Sequence, residues 1–168
     1  MANKDQGGGA LLDESHWVDL MVWMFGMPAG VSATIDKVSD LEIDTDDSVD
    51  MLIKYDSGLH VTLHLDLYGR PHEKSIRFSG DEGVLLWTET PNRIAITNGE
   101  SGQPEERHFT CDRNDMFVAM AGEFLRVLEG AAPTTCRLED GIAVLKILEA
   151  ARESHQTGRF VKTDQGKP

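Results

Sequence analysis

Between Val31 and Thr97 apolar residues recur at every second position, and this alternation limits what the chain can become more than any other feature. A period of two sets successive side chains on opposite faces of an extended strand. The sorting is cleanest over 59–68. There Leu59, Val61, Leu63, Leu65 and Leu67 share one face, and His60, Thr62, His64, Asp66 and Tyr68 share the other. Further strands are expected at 31–38, 49–55, 74–79, 84–88 and 93–97, with short ones at 107–110 and 160–161. Asp56-Ser57-Gly58 and Gly80-Asp81-Glu82-Gly83 read as turns, and 100–105 as a polar loop. Turns this short join antiparallel neighbours, which predicts a meander with one face on a core.

Helical spacing frames the meander. An apolar stretch over 10–25 follows Gly7-Gly8-Gly9 and stops at Gly26 and Pro28, which predicts one helix. Trp17, Leu20, Met21 and Met24 lie on one side of it and Val18 and Val22 on another, as in a helix buried on most faces. A second helix is expected from a cap at Asn114 or Asp115 to Leu128, with Met116, Met120, Phe124 and Val127 at helical spacing. A third runs over 138–156, with Ile142, Leu145, Leu148 and Ala151 inward and Gly158 as its stop. Helix, strands, then two helices make an α+β class: a large, mostly antiparallel, open-faced sheet with helices on one side. A chain of 168 residues is long enough to hold one such core.

Charge narrows the functional classes. Acids outnumber bases 29 to 16, for a formal charge of -13. That balance argues against nucleic-acid binding, which needs a basic face, and against docking on anionic lipid. No apolar run approaches the ~18 residues that span a bilayer. The opening MANKDQGGG has no apolar segment of the signal-peptide kind. Cys111 and Cys136 are too few for a disulfide framework or a metal knuckle and read as free thiols. The expectation is a soluble cytoplasmic protein with neither a nucleic-acid nor a membrane partner.

Two constellations can carry chemistry. On the first helix Asp13 and His16 are three apart, as are His16 and Asp19, so each pair shares a face. A carboxylate beside an imidazole fixes its tautomer and raises its basicity, which suits acid/base work near neutral pH. The same residues also read as a capping Asp13 and a satisfied core histidine. Gly7-Gly8-Gly9 allows close approach of a backbone or ligand, but there is no strand-borne GxGxxG and no Walker lysine. The second constellation is the polar face of 59–68, where His64 and Asp66 stand about 7 Å apart and Arg70 comes just after. That face reads as solvated, as an interface between subunits, or as facing substrate. A metal held by His60, His64 and Asp66 is a weaker reading, for want of HxH or HExxH spacing. The acidic run Asp44, Asp46, Asp47 and Asp50 lacks the glycine and final glutamate of a calcium loop and reads as a solvated turn.

Three stretches resemble one family. GGGALLDESHWVDLMVWMFG is similar to the opening of the C-terminal domain of the Gfo/Idh/MocA oxidoreductases, the glucose–fructose oxidoreductase and inositol dehydrogenase family. The segment from Ser39 to Trp87 resembles that domain's sheet, and the stretch from Phe117 to Val161 its last two helices and closing strand. The likeness is greatest to members acting in sugar and surface-polysaccharide metabolism. It implies the open-faced sandwich of glyceraldehyde-3-phosphate dehydrogenase-like C-terminal domains, with the free sheet face mediating a homodimer. It also implies that the helix bearing Asp and His meets the nicotinamide and a sugar-type molecule. The motif falls on Asp13 and His16, although many members have three residues between Asp and His where this chain has Glu14 and Ser15. Asp19 matches a recurrent acid one turn on.

Together the residues and the resemblance make His16 the acid/base group and Asp13 its orienting or relay partner, with Asp19 supporting them on the substrate side; His64, Asp66 and Arg70 of the polar face are expected as substrate or cross-subunit contacts. NAD or NADP would be bound mainly by a Rossmann domain that also supplies a lysine from a Glu-Lys-Pro motif. Glu73-Lys74 is followed by Ser75 and is not that motif. No cofactor-binding residue and no metal ligand is assigned in this chain. The expectation is the substrate-binding and dimerisation half of a sugar dehydrogenase: 1–6 a disordered remnant, 7–162 the domain, 163–168 a polar tail. Its other half would be lost or supplied in trans, and the chain alone would be inactive. Two other classes stay open: a non-catalytic dimerising module, and a metal-dependent sugar hydrolase or isomerase.

Overall fold

A computed structural model describes residues 3–99 and 102–163. In chain order the elements are a 3₁₀ turn (Lys4–Gln6), α1 (Ala10–Asp13), α2 (His16–Phe25), β1 (Gly30–Asp36), β2 (Ser48–Lys54) and β3 (His60–Asp66). Then come β4 (Ser75–Gly80), β5 (Gly83–Thr88), β6 (Arg93–Asn98), β7 (Glu105–His108), α3 (Arg113–Leu128), α4 (Leu138–Thr157) and β8 (Val161–Lys162). All ladders are antiparallel, and the class is the α+β sandwich expected. The strands are shared between two four-stranded sheets, ordered β3-β2-β1-β8 and β4-β5-β6-β7. Two compact units result: Met1–Tyr68 with Thr135–Pro168, and Gly69–Thr134. Glu100 and Ser101 of the expected polar loop, and 164–168 of the expected tail, lie outside the described residues, as do 1–2.

The first unit holds the core. In β2, Val49, Met51 and Ile53 are buried while Asp50, Leu52 and Lys54 are exposed, so the period of two survives intact. Pairing sets Val49 opposite Ile35 and Leu65, and Ile53 opposite Val31 and Val61. Val18 and Met21 of α2 and Val144, Ile147, Leu148 and Ala151 of α4 cover that face. Each fully buried aliphatic side chain contributes roughly 1.5–3 kcal/mol of transfer free energy. Tyr55 closes one end; its phenol donates to the Gly26 carbonyl at 3.2 Å, and burial pushes its pKa up to about 12.

Two helix readings need correction. The expected single helix over 10–25 is broken at Glu14-Ser15. There Ser15 N–H donates to Leu12 O and Trp17 N–H to Glu14 O, three-residue steps that tighten the coil and rotate the turns beyond the break. Nor is α2 buried all round, since Trp23 is 80% exposed. On α4 the inward stripe is Val144, Ile147, Leu148, Ala151 and Ser154, while Ile142 and Leu145 are exposed. Both stripes are apolar at helical spacing. The buried one carries Ser154, which β1 needs. β8 reaches only Gly30 and Val31, and Ala33 N–H then donates to Ser154 Oγ at 2.9 Å and Ile35 N–H to His155 Nδ1 at 3.1 Å. Side chains of a helix thus finish a sheet edge that would otherwise expose unpaired amides.

The second unit contains β4–β7 and α3. Asp112 and Asp115 form a reciprocal capping box at the start of α3. Met116, Met120 and Phe124 recur at the expected spacing and are all more than half exposed. Among the described residues no helix is long and apolar enough to cross a membrane.

Candidate functional site

The glycines before α1 serve the backbone. Gly9 has φ 120°, and a Cβ there would stand 2.4 Å from Asp46 Oδ1. Asp46 comes that close because its Oδ2 accepts Leu11 N–H at 2.8 Å and its carbonyl accepts Ala10 N–H at 2.9 Å. The free amides at the start of α1 are therefore capped by a carboxylate from the acidic turn. That geometry leaves no cradle for a phosphate: the anion position is filled by Asp46, the preceding element is a 3₁₀ turn, and both sheets are antiparallel. The residues present do not fit the pyrophosphate end of a dinucleotide.

The acidic turn is not simply solvated, contrary to expectation. Asp47 is fully buried and accepts Val38 N–H at 2.7 Å, Ser39 N–H at 3.1 Å and the Ser39 hydroxyl. Loss of solvent pushes its carboxyl up. The hydrogen bonds from Ser39 and Val38, with the nearby Lys37, outweigh that and leave it below the usual 3.8. Its backbone N–H and carbonyl also tie Asp36 to Leu67.

Asp13, His16 and Asp19 fall on two sides of the break. Asp13 Oδ2 accepts Gly9 N–H at 3.1 Å, a capping contact. His16 is exposed, not a core histidine, and its Nε2 lies 3.5 Å from Glu14 Oε2. Sequence reasoning misses Glu14, because an unbroken helix turns it away from His16. Farther along α2, His16, Asp19, Leu20, Val22 and Trp23 form one wall of a groove of about 720 Å³, and Thr135, Cys136 and Asp140 form the other. Leu20, Val22 and Trp23 make that groove largely apolar, with carboxylates at Asp19 and Asp140. Cys136, like Cys111, is a free, exposed thiol.

His64 and Asp66 are elsewhere. Core residues of β3 face α2 and α4, so His64 stands on the opposite, open face of the sheet. Its Nδ1 is 2.8 Å from Asp50 Oδ1 and its Nε2 is 3.4 Å from Asp66 Oδ2. Asp50 is readable from sequence, since the turn at Asp56-Ser57-Gly58 sets the register that puts it opposite His64. Both ring nitrogens are engaged, and among the described residues no group of three or more His, Cys, Asp or Glu is arranged to hold a metal. His60 pairs with Lys54 at the far end of the same face. Arg70 belongs to the second unit, where its Nη1 donates to Gly69 O at 2.6 Å. The structure thus brings His16 and Asp19 together and keeps His64 and Asp66 apart from them.

α2 and α4 cover one face of an antiparallel sheet whose other face is open, and the histidine helix follows three glycines. Residues 1–86 match the model of the GFO/IDH/MocA C-terminal domain, and the chain belongs to that family. It is similar in structure to levoglucosan dehydrogenase solved with NADH (TM-score 0.79, 18% identity, 95% of this chain and 51% of that one). It is also similar to the WlbA dehydrogenase from Bordetella pertussis in complex with NADH and UDP-GlcNAcA (0.69, 18%, 95% and 49%). A third neighbour is the WlbA dehydrogenase from Chromobacterium violaceum with the same two ligands (0.69, 20%, 95% and 47%). The chain spans about half the length of these structures. A comparison with curated proteins finds no match.

Proposed function

We propose that this chain is the substrate-binding half of a nicotinamide-dependent dehydrogenase acting on a sugar or sugar derivative, with NAD or NADP held by a Rossmann half in cis or in trans. The observation that carries this reading is that α2, placed directly after the family's glycine-led motif, presents His16 and Asp19 together in one open groove. An exposed imidazole beside a carboxylate can take the proton of a sugar hydroxyl as hydride leaves the same carbon for the nicotinamide. His16 is the acid/base group. Glu14 at 3.5 Å orients it, a task the sequence motif would give to Asp13. Asp19 contacts substrate hydroxyls. The test is steady-state kinetics of the chain joined to or mixed with its Rossmann half. His16→Ala should lower kcat by ~10²–10⁴-fold with little change in KM. A rate within about threefold of the parent would remove His16 from the chemistry.

The open face of β1–β3 supports a second role, pairing of two copies. Asp36, Asp50, Asp66 and His64 cluster at one end of that face, and Lys54 and His60 at the other. A two-fold axis that reverses strand direction sets the acidic end of one copy on the basic end of its partner, as an isologous contact requires. His64 and Asp66 then act between subunits. Lys54→Glu should turn dimer into monomer by light scattering, and an unchanged mass would exclude this face. If the chain pairs but has no sugar affinity, and His16→Ala changes nothing, the chain is a dimerising module only.

A further inference from the structure

We infer that the α2 groove selects uncharged or amine-bearing sugars and rejects those that carry a carboxylate or phosphate; this rests on the groove being the sugar site proposed above. Three observations converge. First, Trp23 lines the groove and is 80% exposed, an unusual state for so large an apolar side chain. An uncovered indole offers the flat apolar face on which the C–H face of a pyranose packs, and it attracts a ligand ammonium by cation–π interaction. Second, the groove's charged groups are of one sign. Asp19 and Asp140 stand on its two walls, and neither wall carries a lysine or arginine. Arg137 is not among the lining residues and lies beside Asp140, its backbone N–H donating to Oδ2 at 2.7 Å and its Nε 3.8 Å away. Third, the whole chain carries a formal charge of -13, so the field around the groove repels anions before they arrive. Carboxylates accept from hydroxyl and ammonium groups, and these charge-assisted bonds are the stronger kind. A second carboxylate in the ligand would face Asp19 with no cation between them.

The groove's two parts have distinct tasks. Trp23 supplies affinity that any pyranose shares. Asp19 supplies the discrimination, because it is exposed on α2 one turn beyond His16 and free to meet the ligand.

The experiment is an NMR titration of the full chain with D-glucose, D-glucosamine and D-glucuronate, following the indole N–H resonance of Trp23. Trp23→Phe assigns that resonance among the three tryptophans. Glucosamine and glucose should shift it, with glucuronate binding about tenfold more weakly or not at all. Asp19→Asn should bring glucuronate to within about threefold of glucose. Equal or tighter binding of glucuronate by the parent chain would overturn the charge selection and leave the sugar site standing. Discrimination unchanged in Asp19→Asn would also overturn it. If none of the three moves the Trp23 resonance, the sugar site itself is misplaced and the inference falls with it.

Discussion

Replacing Gly9 by alanine tests how the start of the histidine motif is held. The added Cβ would sit 2.4 Å from Asp46 Oδ1 and would be forced to φ 120°. A non-glycine residue in such a backbone conformation costs roughly 1–3 kcal/mol. Displacing Asp46 also releases Leu11 N–H, a capping bond that contributes about 1 kcal/mol. The smaller entropy of the unfolded alanine chain offsets ~0.5 kcal/mol of this. The net loss is roughly 1.5–3.5 kcal/mol, a fall in Tm on the order of 3–14 °C for a chain of this size. Thermal and urea unfolding of Gly9→Ala, Asp46→Ala and the double variant give the answer. In the Asp46→Ala background the clash is gone and Gly9→Ala should cost only its backbone strain, so the double variant is less damaged than the sum. A Gly9→Ala chain as stable as the parent, or a strictly additive pair, would refute the idea that Gly9 is there to admit Asp46.

Buried polar groups give further outcomes. Asp47 has a folded pKa below its unfolded value, so the stability it lends is complete above about pH 5 and drains away as pH falls through the folded pKa. Asp47→Asn should flatten that acid limb and cost about 2 kcal/mol at neutral pH, because the amide cannot accept from Val38 and Ser39 together. Urea midpoints between pH 3 and pH 7 measure both. Ser154→Ala leaves Ala33 N–H and the Arg159 carbonyl without their shared partner and should cost roughly 1–3 kcal/mol. Hydrogen exchange should show it first at Ala33 amide. Breaking His64–Asp50, an exposed pair, should change the monomer's stability by less than about 1 kcal/mol, whatever it does to pairing of copies.

The strand half of the fold is written locally. Each strand begins and ends within one or two residues of its apolar alternation, and the tight turn after Tyr55 fixes the register that brings Asp50 to His64. What the pattern does not hold is settled by distant groups. The helix over 10–25 has no glycine or proline inside it, yet it breaks at Glu14-Ser15 with its leading turn fastened by Asp46, 35 residues away from Leu11. That break replaces Asp13 with Glu14 as the neighbour of His16. On α4 two apolar stripes compete, and the choice falls to the one whose Ser154 can close the amide of Ala33, 121 positions earlier. The far wall of the groove, Thr135 to Asp140, bears no motif at all and becomes visible only when α4 is laid beside α2.

The proposed division of labour between a sugar half and a cofactor half is tested most directly by titrating the purified chain with NADH and NADPH while following nicotinamide fluorescence. With the α1 amides already occupied by Asp46, no saturable change is expected with either nucleotide. Micromolar binding by this chain alone would contradict that division, and would place a dinucleotide site on residues that the proposal gives to the sugar or the fold.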